Sequence, residues 1–205
     1  YFHLLFEQRK IPEIPIYVDS PMATNATSIF QVHPECYDEE THKAFLTHHK
    51  NPFGFNSLRF TQSVEESKHL NELEGPMIII SADGMCEAGR IVHHLYNNIE
   101  DPNTTILLVG FMAENTLGRR LQNGEEEVKV IGEWKKVRAK VEQINAFSAH
   151  ADYQETLDWL KEIDTSRLKK IFLVHGEKAA QKNLTKVLNE NGFNDVEVIS
   201  YGRTY

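Results

Sequence analysis

Met77-Ile78-Ile79-Ile80-Ser81-Ala82-Asp83-Gly84-Met85-Cys86-Glu87-Ala88-Gly89-Arg90 is the stretch whose reading decides the fold. Four apolar residues followed by a glycine-bearing turn fit a buried strand over 77–81. Ile91, Val92, Leu95 and Ile99 then recur at helical spacing, so a helix follows the turn. Strand, glycine turn and helix form the repeating unit of parallel α/β sheets. The unit recurs on both sides. Upstream, Ile16-Tyr17-Val18 reads as a strand end, and Ser20-Pro21 reads as a helix N-cap and first helical position. Met22, Ala26, Ile29 and Phe30 lie on one face of that helix. Downstream, a strand over 105–110 leads through Gly110 into a short helix near Asn115–Leu121.

Other segments add to this frame. Ser63 and Glu66 form a capping box opening a helix through Leu70 and Leu73. Val128 and Val130, then Val137, Ala139, Val141 and Gln143, alternate around Gly132-Glu133, which predicts a β-hairpin or meander. Asp152 and Glu155 cap a helix carrying Leu157, Leu160 and Ile163. A strand over 170–174 precedes a helix with Ala180, Leu184, Val187 and Leu188, stopped at Gly192, and a last strand covers 195–200. A boundary near 136–143 separates a larger α/β unit from a smaller piece that needs a partner.

Composition narrows the class. The 205 residues are 40% hydrophobic and 25% charged, as in a water-soluble globular protein of one or two domains. The longest apolar runs, 77–80 and 106–109, are far too short to span a bilayer, so no membrane role is expected. Cys36 and Cys86 have neither metal nor redox spacing, which fits a reducing, cytoplasmic setting. The net charge of −8 excludes binding of nucleic acid by bulk attraction. Any RNA would have to be held by a few focused donors.

Four segments carry residues suited to chemistry. The turn at 81–90 offers backbone N–H groups and Arg90 to an anion, although tight packing alone would also explain its glycines. The segment 110–120 places Arg119 and Arg120 at a helix start, where a cation is disfavoured unless an anion is near. Alone, it reads equally as a solvated arginine pair. In Ala146-Phe147-Ser148-Ala149-His150-Ala151-Asp152, Ser148 is placed to hold a phosphate oxygen and His150 to pass a proton near neutral pH. In Leu173-Val174-His175-Gly176-Glu177, a histidine stands at the carboxyl end of a strand, where α/β folds bind ligands. It is a candidate metal ligand. The other eight histidines, His93 and His94 among them, lack ligand spacing, and at most one of that pair faces inward.

Taken in order, these segments resemble the β-CASP family of metallo-β-lactamase-fold RNA-processing nucleases, most closely the prokaryotic relatives of the mRNA 3′-end cleavage endonuclease. The resemblance rests on Asp19-Ser20-Pro21-Met22-Ala23, Ser63-Val64-Glu65-Glu66-Ser67, Gly84-Met85-Cys86 and Gly89-Arg90-Ile91. It rests equally on Thr116-Leu117-Gly118-Arg119-Arg120, the 147–152 segment, and Val174-His175-Gly176-Glu177. It runs from about residue 11 to the end.

The resemblance implies a Rossmann-like parallel-sheet β-CASP domain over 1–142. The C-terminal segment of a metallo-β-lactamase (αββα) fold would follow over 143–205. It implies His150 as general acid, Ser148 beside the scissile phosphate, and His175 as a ligand of a two-zinc centre. Ser20, Ser81, Gly84, Gly89, Arg90 and Arg119 would face the RNA backbone. The family's His-x-His-x-Asp-His segment, its later metal-binding histidine and its bridging aspartate have no counterpart in these residues. Asp19 and Asp152 align with other family positions. The expected whole is thus a zinc-dependent ribonuclease, of which this chain is a part that is inert alone. Its partners would be RNA and the N-terminal metallo-β-lactamase half, with a homodimer left open. The competing readings are a non-catalytic β-CASP scaffold of an RNA-processing complex and an unrelated nucleotide-binding α/β domain.

Overall fold

β1 (Ile16–Asp19) is buried along its whole length because it runs between two parallel neighbours. These are β2 (Leu58–Phe60) and β3 (Ile78–Ser81), giving the order β2-β1-β3. Asp19 lies in register with Ser81, and Val18 with both Phe60 and Ile80. A strand paired on both sides and covered on both faces must be apolar throughout, which explains the unbroken Ile-Tyr-Val run. The computed structural model describes residues 2–48, 51–147 and 150–204. The chain divides into two compact units, Tyr1–Ser148 and Ala149–Tyr205.

In the first unit α1 (Phe2–Glu7) precedes β1. α2 (Pro21–Val32) and α3 (Glu39–Ala44) carry the chain to β2, and α4 (Val64–His69) carries it to β3. The Ser63 and Glu66 capping box forms as expected, with Ser63 Oγ accepting from Glu66 N and Glu66 Oε2 from Ser63 N. The Ser20 cap and Pro21 start also form. The apolar face assigned to that helix does not turn inward: Met22, Ile29 and Phe30 are exposed, and Thr24 is its buried residue. The half-buried side chains at the neighbouring positions, Ala23 and Thr27, are likewise small, which lets the helix backbone lie close to its support.

α5 (Ile91–Asn98), β4 (Thr105–Leu108) and α6 (Leu117–Gln122) follow the decisive stretch, then β5 (Glu127–Val130), β6 (Glu133–Lys136) and β7 (Lys140–Gln143). β5 and β6 form the expected hairpin, but its turn is Ile131-Gly132, with φ of 48° and 85°. Two consecutive positive φ values suit the right-handed twist of a two-residue hairpin. The alternating run after it is no third meander strand. β7 pairs in parallel with β4, Ile106 opposite Val141. Leu95, Ile99, Ile106, Leu108, Leu121, Val128 and Val130 bury together as the main core.

The second unit holds α7 (Tyr153–Lys161), β8 (Ile171–Leu173), α8 (Lys178–Glu190) and β9 (Val196–Val198), with β8 and β9 parallel. Asp152 and Glu155 form the expected capping box, and Gly192 follows α8 with φ of 93°. Leu157, Leu160 and Leu188 make a small core of their own, against Ile171, Leu184 and Val196. No described helix is long and apolar enough to cross a membrane.

Leu188 is fully buried in that small core. Leu188→Ala should therefore cost about 2–5 kcal/mol in the second unit. Hydrogen exchange should show faster exchange in α8, β8 and β9; unchanged protection there would contradict the assigned core.

Candidate functional site

The order β2-β1-β3 with parallel pairing places the carboxyl ends of β1 and β3 side by side at one edge of the sheet. Open α/β sheets bind ligands in the crevice outside such ends. Five of the sequence-predicted residues, Ser20, Ser81, Gly84, Gly89 and Arg90, come from these two ends.

What gathers them is Asp19, which is fully buried. Its Oδ1 accepts from Arg90 Nη1 at 2.7 Å and from the Thr61 hydroxyl. Its Oδ2 accepts from Ser67 Oγ at 2.6 Å and from His94 Nε2 at 2.7 Å. His94 Nδ1 lies 2.9 Å from Asn71 Oδ1. Burial is the largest single influence on the Asp19 carboxyl and raises its pKa. The hydrogen bonds from Ser67, Thr61, His94 and Arg90 together outweigh it and hold the group below the ordinary aspartate range. Every oxygen of the carboxylate is thereby answered, which a buried charge requires.

Arg90, expected to face phosphate, spends most of its guanidinium inward. Nη2 donates to Gln62 O at 2.8 Å, and its side chain is only 17% exposed. Ser20 caps α2, its Oγ accepting from Ala23 N at 3.3 Å. Ser81 Oγ donates to Asp19 O at 3.1 Å. Gly89 has φ of 76°, and an added Cβ would lie 2.4 Å from Ala82 O, so only glycine fits. Gly84 is exposed with open space around it.

The turn also carries its own anions. Asp83 accepts from Met85 N at 2.5 Å and from Ala88 N at 3.0 Å, and Glu87 accepts from Leu117 N at the start of α6. Two of the turn's backbone donors and the first of α6 are thus occupied by carboxylates. α6 packs against the same turn, Gly118 N donating to Met85 O at 2.9 Å. Arg119 Nε donates to Met112 O at 2.7 Å, and its guanidinium lies over the Phe111 ring. Cys86 is buried between these elements. Desolvation, with Asp83 and Glu87 nearby, pushes its thiol up to about 11. It is therefore a packing residue rather than a nucleophile.

The second unit holds the two histidines given chemical roles. His150 is exposed, two residues before the α7 cap. Ser148 lies outside the described residues. His175 follows β8 with φ of 65°, is exposed, and its carbonyl accepts from Gln181 Nε2 at 2.9 Å. Among the described residues no three His, Cys, Asp or Glu side chains gather closely enough to hold a metal ion.

Sequence reading missed the carboxylate cluster. Asp19 and His94 were set aside, and Thr61 and Asn71 carried no signal. The available hint was an aspartate at the end of an otherwise apolar strand, which must find partners if buried.

Asp19→Ala would leave the Arg90 guanidinium partly buried without its counter-charge, at a cost of about 3–5 kcal/mol. Because the carboxyl is held low when folded, its contribution is fully present above about pH 4. It is lost as pH falls through the depressed folded value. Urea titrations should show the variant far weaker at pH 7, with the gap narrowing toward pH 3. Equal midpoints at pH 7 would contradict this role.

Comparisons with known proteins agree with the geometry. The model of the Beta-Casp domain matches residues 1–121, and that of the Zn-dependent metallo-hydrolase RNA specificity domain matches residues 134–199. The chain is similar to Ribonuclease TTHA0252 of Thermus thermophilus, 35% identical over 94% of this chain and 43% of that protein. It is similar also to Transcription termination factor FttA of Methanosarcina mazei, 30% identical over 83% of this chain and 27% of the relative. The factor of the same name from Pyrococcus horikoshii is 32% identical over 80% and 26%. The chain thus spans less than half the length of these curated relatives. With a parallel α/β unit whose Beta-Casp match covers more than half of its residues, the chain belongs to the β-CASP family of metallo-β-lactamase-fold RNA-processing nucleases.

Proposed function

We propose that this chain is the RNA-facing and proton-donating part of a zinc-dependent ribonuclease. Residues 1–142 would form its β-CASP domain, and 143–205 the end of its metallo-β-lactamase fold. The observation that carries the reading is the 35% identity, over 94% of this chain, to a protein named ribonuclease.

In this reading His150 donates a proton to the leaving oxygen of the scissile phosphodiester, and Ser148 holds a phosphate oxygen. An exposed histidine beside a helix start suits proton transfer, since an imidazole can both accept and donate a proton. Ser20, Ser81, Gly84, Gly89 and Arg119 lie toward the RNA backbone. Arg90 acts chiefly by holding Asp19, with its remaining N–H groups free to meet a phosphate at the crevice. Zinc, when bound, would activate water and stabilise charge on phosphorus. His175 is the one ligand assigned here, and the other ligands belong outside these 205 residues. The chain alone is therefore expected not to cleave RNA. The setting is cytoplasmic.

A scaffold role in RNA processing is the second reading, favoured by the relatives named as transcription termination factors. Proton transfer separates the two. In the longer protein, His150→Ala should slow single-turnover RNA cleavage by about 10²–10⁴-fold with little change in RNA affinity. Full activity in that variant would refute the proton-donor role, and no cleavage by the native protein would favour the scaffold.

A further inference from the structure

α8 carries two adjacent rows of side chains along one groove. Lys178, Lys182 and Lys186 make one row, and Gln181, Thr185 and Asn189 make the other. The groove, about 720 Å³, is also lined by Val198, Ile199 and Ser200, at the end of β9. β9 pairs only with β8 among the described strands, so its other edge is open.

We propose that this groove binds the phosphate backbone of single-stranded RNA, an inference that rests on the RNA-directed reading above. The charge is concentrated against the trend of the molecule, whose net charge is −8. All three lysines are exposed, and neither Lys178 nor Lys182 makes an ion pair among the described residues. Lys186 is 3.8 Å from Glu190, which also lines the groove. The first turn of α8 begins with Lys178 and contains no acidic residue, while its N-cap is Glu177.

Spacing selects the occupant. Residues four apart on a helix rise about 6 Å, close to the separation of successive phosphates along one strand. The second row supplies amide and hydroxyl groups, which answer phosphate and ribose. An acidic peptide added to the open strand edge would instead want apolar pockets at alternate positions. The row nearest the lysines is polar.

The test is binding of a labelled single-stranded oligoribonucleotide to the 205-residue chain across a salt series. Lys178→Gln/Lys182→Gln/Lys186→Gln is compared with the triple Lys→Arg variant. Removing three phosphate contacts should make the slope of log K against log salt shallower by about 2, and the arginine variant should keep the native slope. Unchanged binding and slope in the glutamine variant would overturn the groove while leaving the RNA reading intact. A chain that binds no RNA would overturn both. Polyglutamate bound more tightly than RNA, and lost in the glutamine variant, would assign the groove to acidic protein and overturn the proposal.

Discussion

The Asp19 carboxylate, out of water at the end of the central strand, is the constraint on which the first unit's functional edge depends. A buried charge has to be matched, and the four partners come from separate stretches of the chain: Thr61 after β2, Ser67 on α4, Arg90 at the cap of α5 and His94 within it. Satisfying one residue therefore fixes how β1, β2, α4 and α5 meet. It also sets the position of Ser20 and Ser81, which border it on either side. The segment Asp19–Ala23 thus carries an organising charge where β1 passes into α2.

Much of the scaffold was legible because its signals are local. The capping boxes at Ser63 and Asp152, the Pro21 start, and the stop at Gly192 each rest on backbone chemistry within a few residues. The Met77–Ile80 strand and its helix could be read for the same reason. What failed was pairing at a distance. Val137, Ala139 and Val141 alternate like a meander, yet β7 joins β4 about thirty-five residues earlier in the chain. The apolar stripe of α2 misled in another way, since amphipathic spacing states which residues share a face, not which face is covered. The Asp19 cluster was illegible because hydrogen-bond partners up to 75 positions apart leave no pattern in a linear sequence.

The distribution of charge bears on the proposed function more than its total. The turn at 81–90 has two of its amide donors occupied by Asp83, and the first amide of α6 is taken by Glu87. That edge is shaped for close backbone approach and less for strong anion capture. Three exposed lysines stand in a row on α8, one of them beside Glu190. An acidic protein handling a polyanion would gain from this arrangement: weak bulk attraction limits indiscriminate binding, while local rows of donors hold a strand in one direction.

The proposed role of His150 is to lend a proton to the departing oxygen of RNA. It is tested most directly with an RNA whose leaving oxygen is replaced by sulfur, a leaving group that needs no proton. In the longer protein, His150→Ala should cleave that substrate at close to the native rate while remaining defective on ordinary RNA. An equal defect on both substrates would contradict the account.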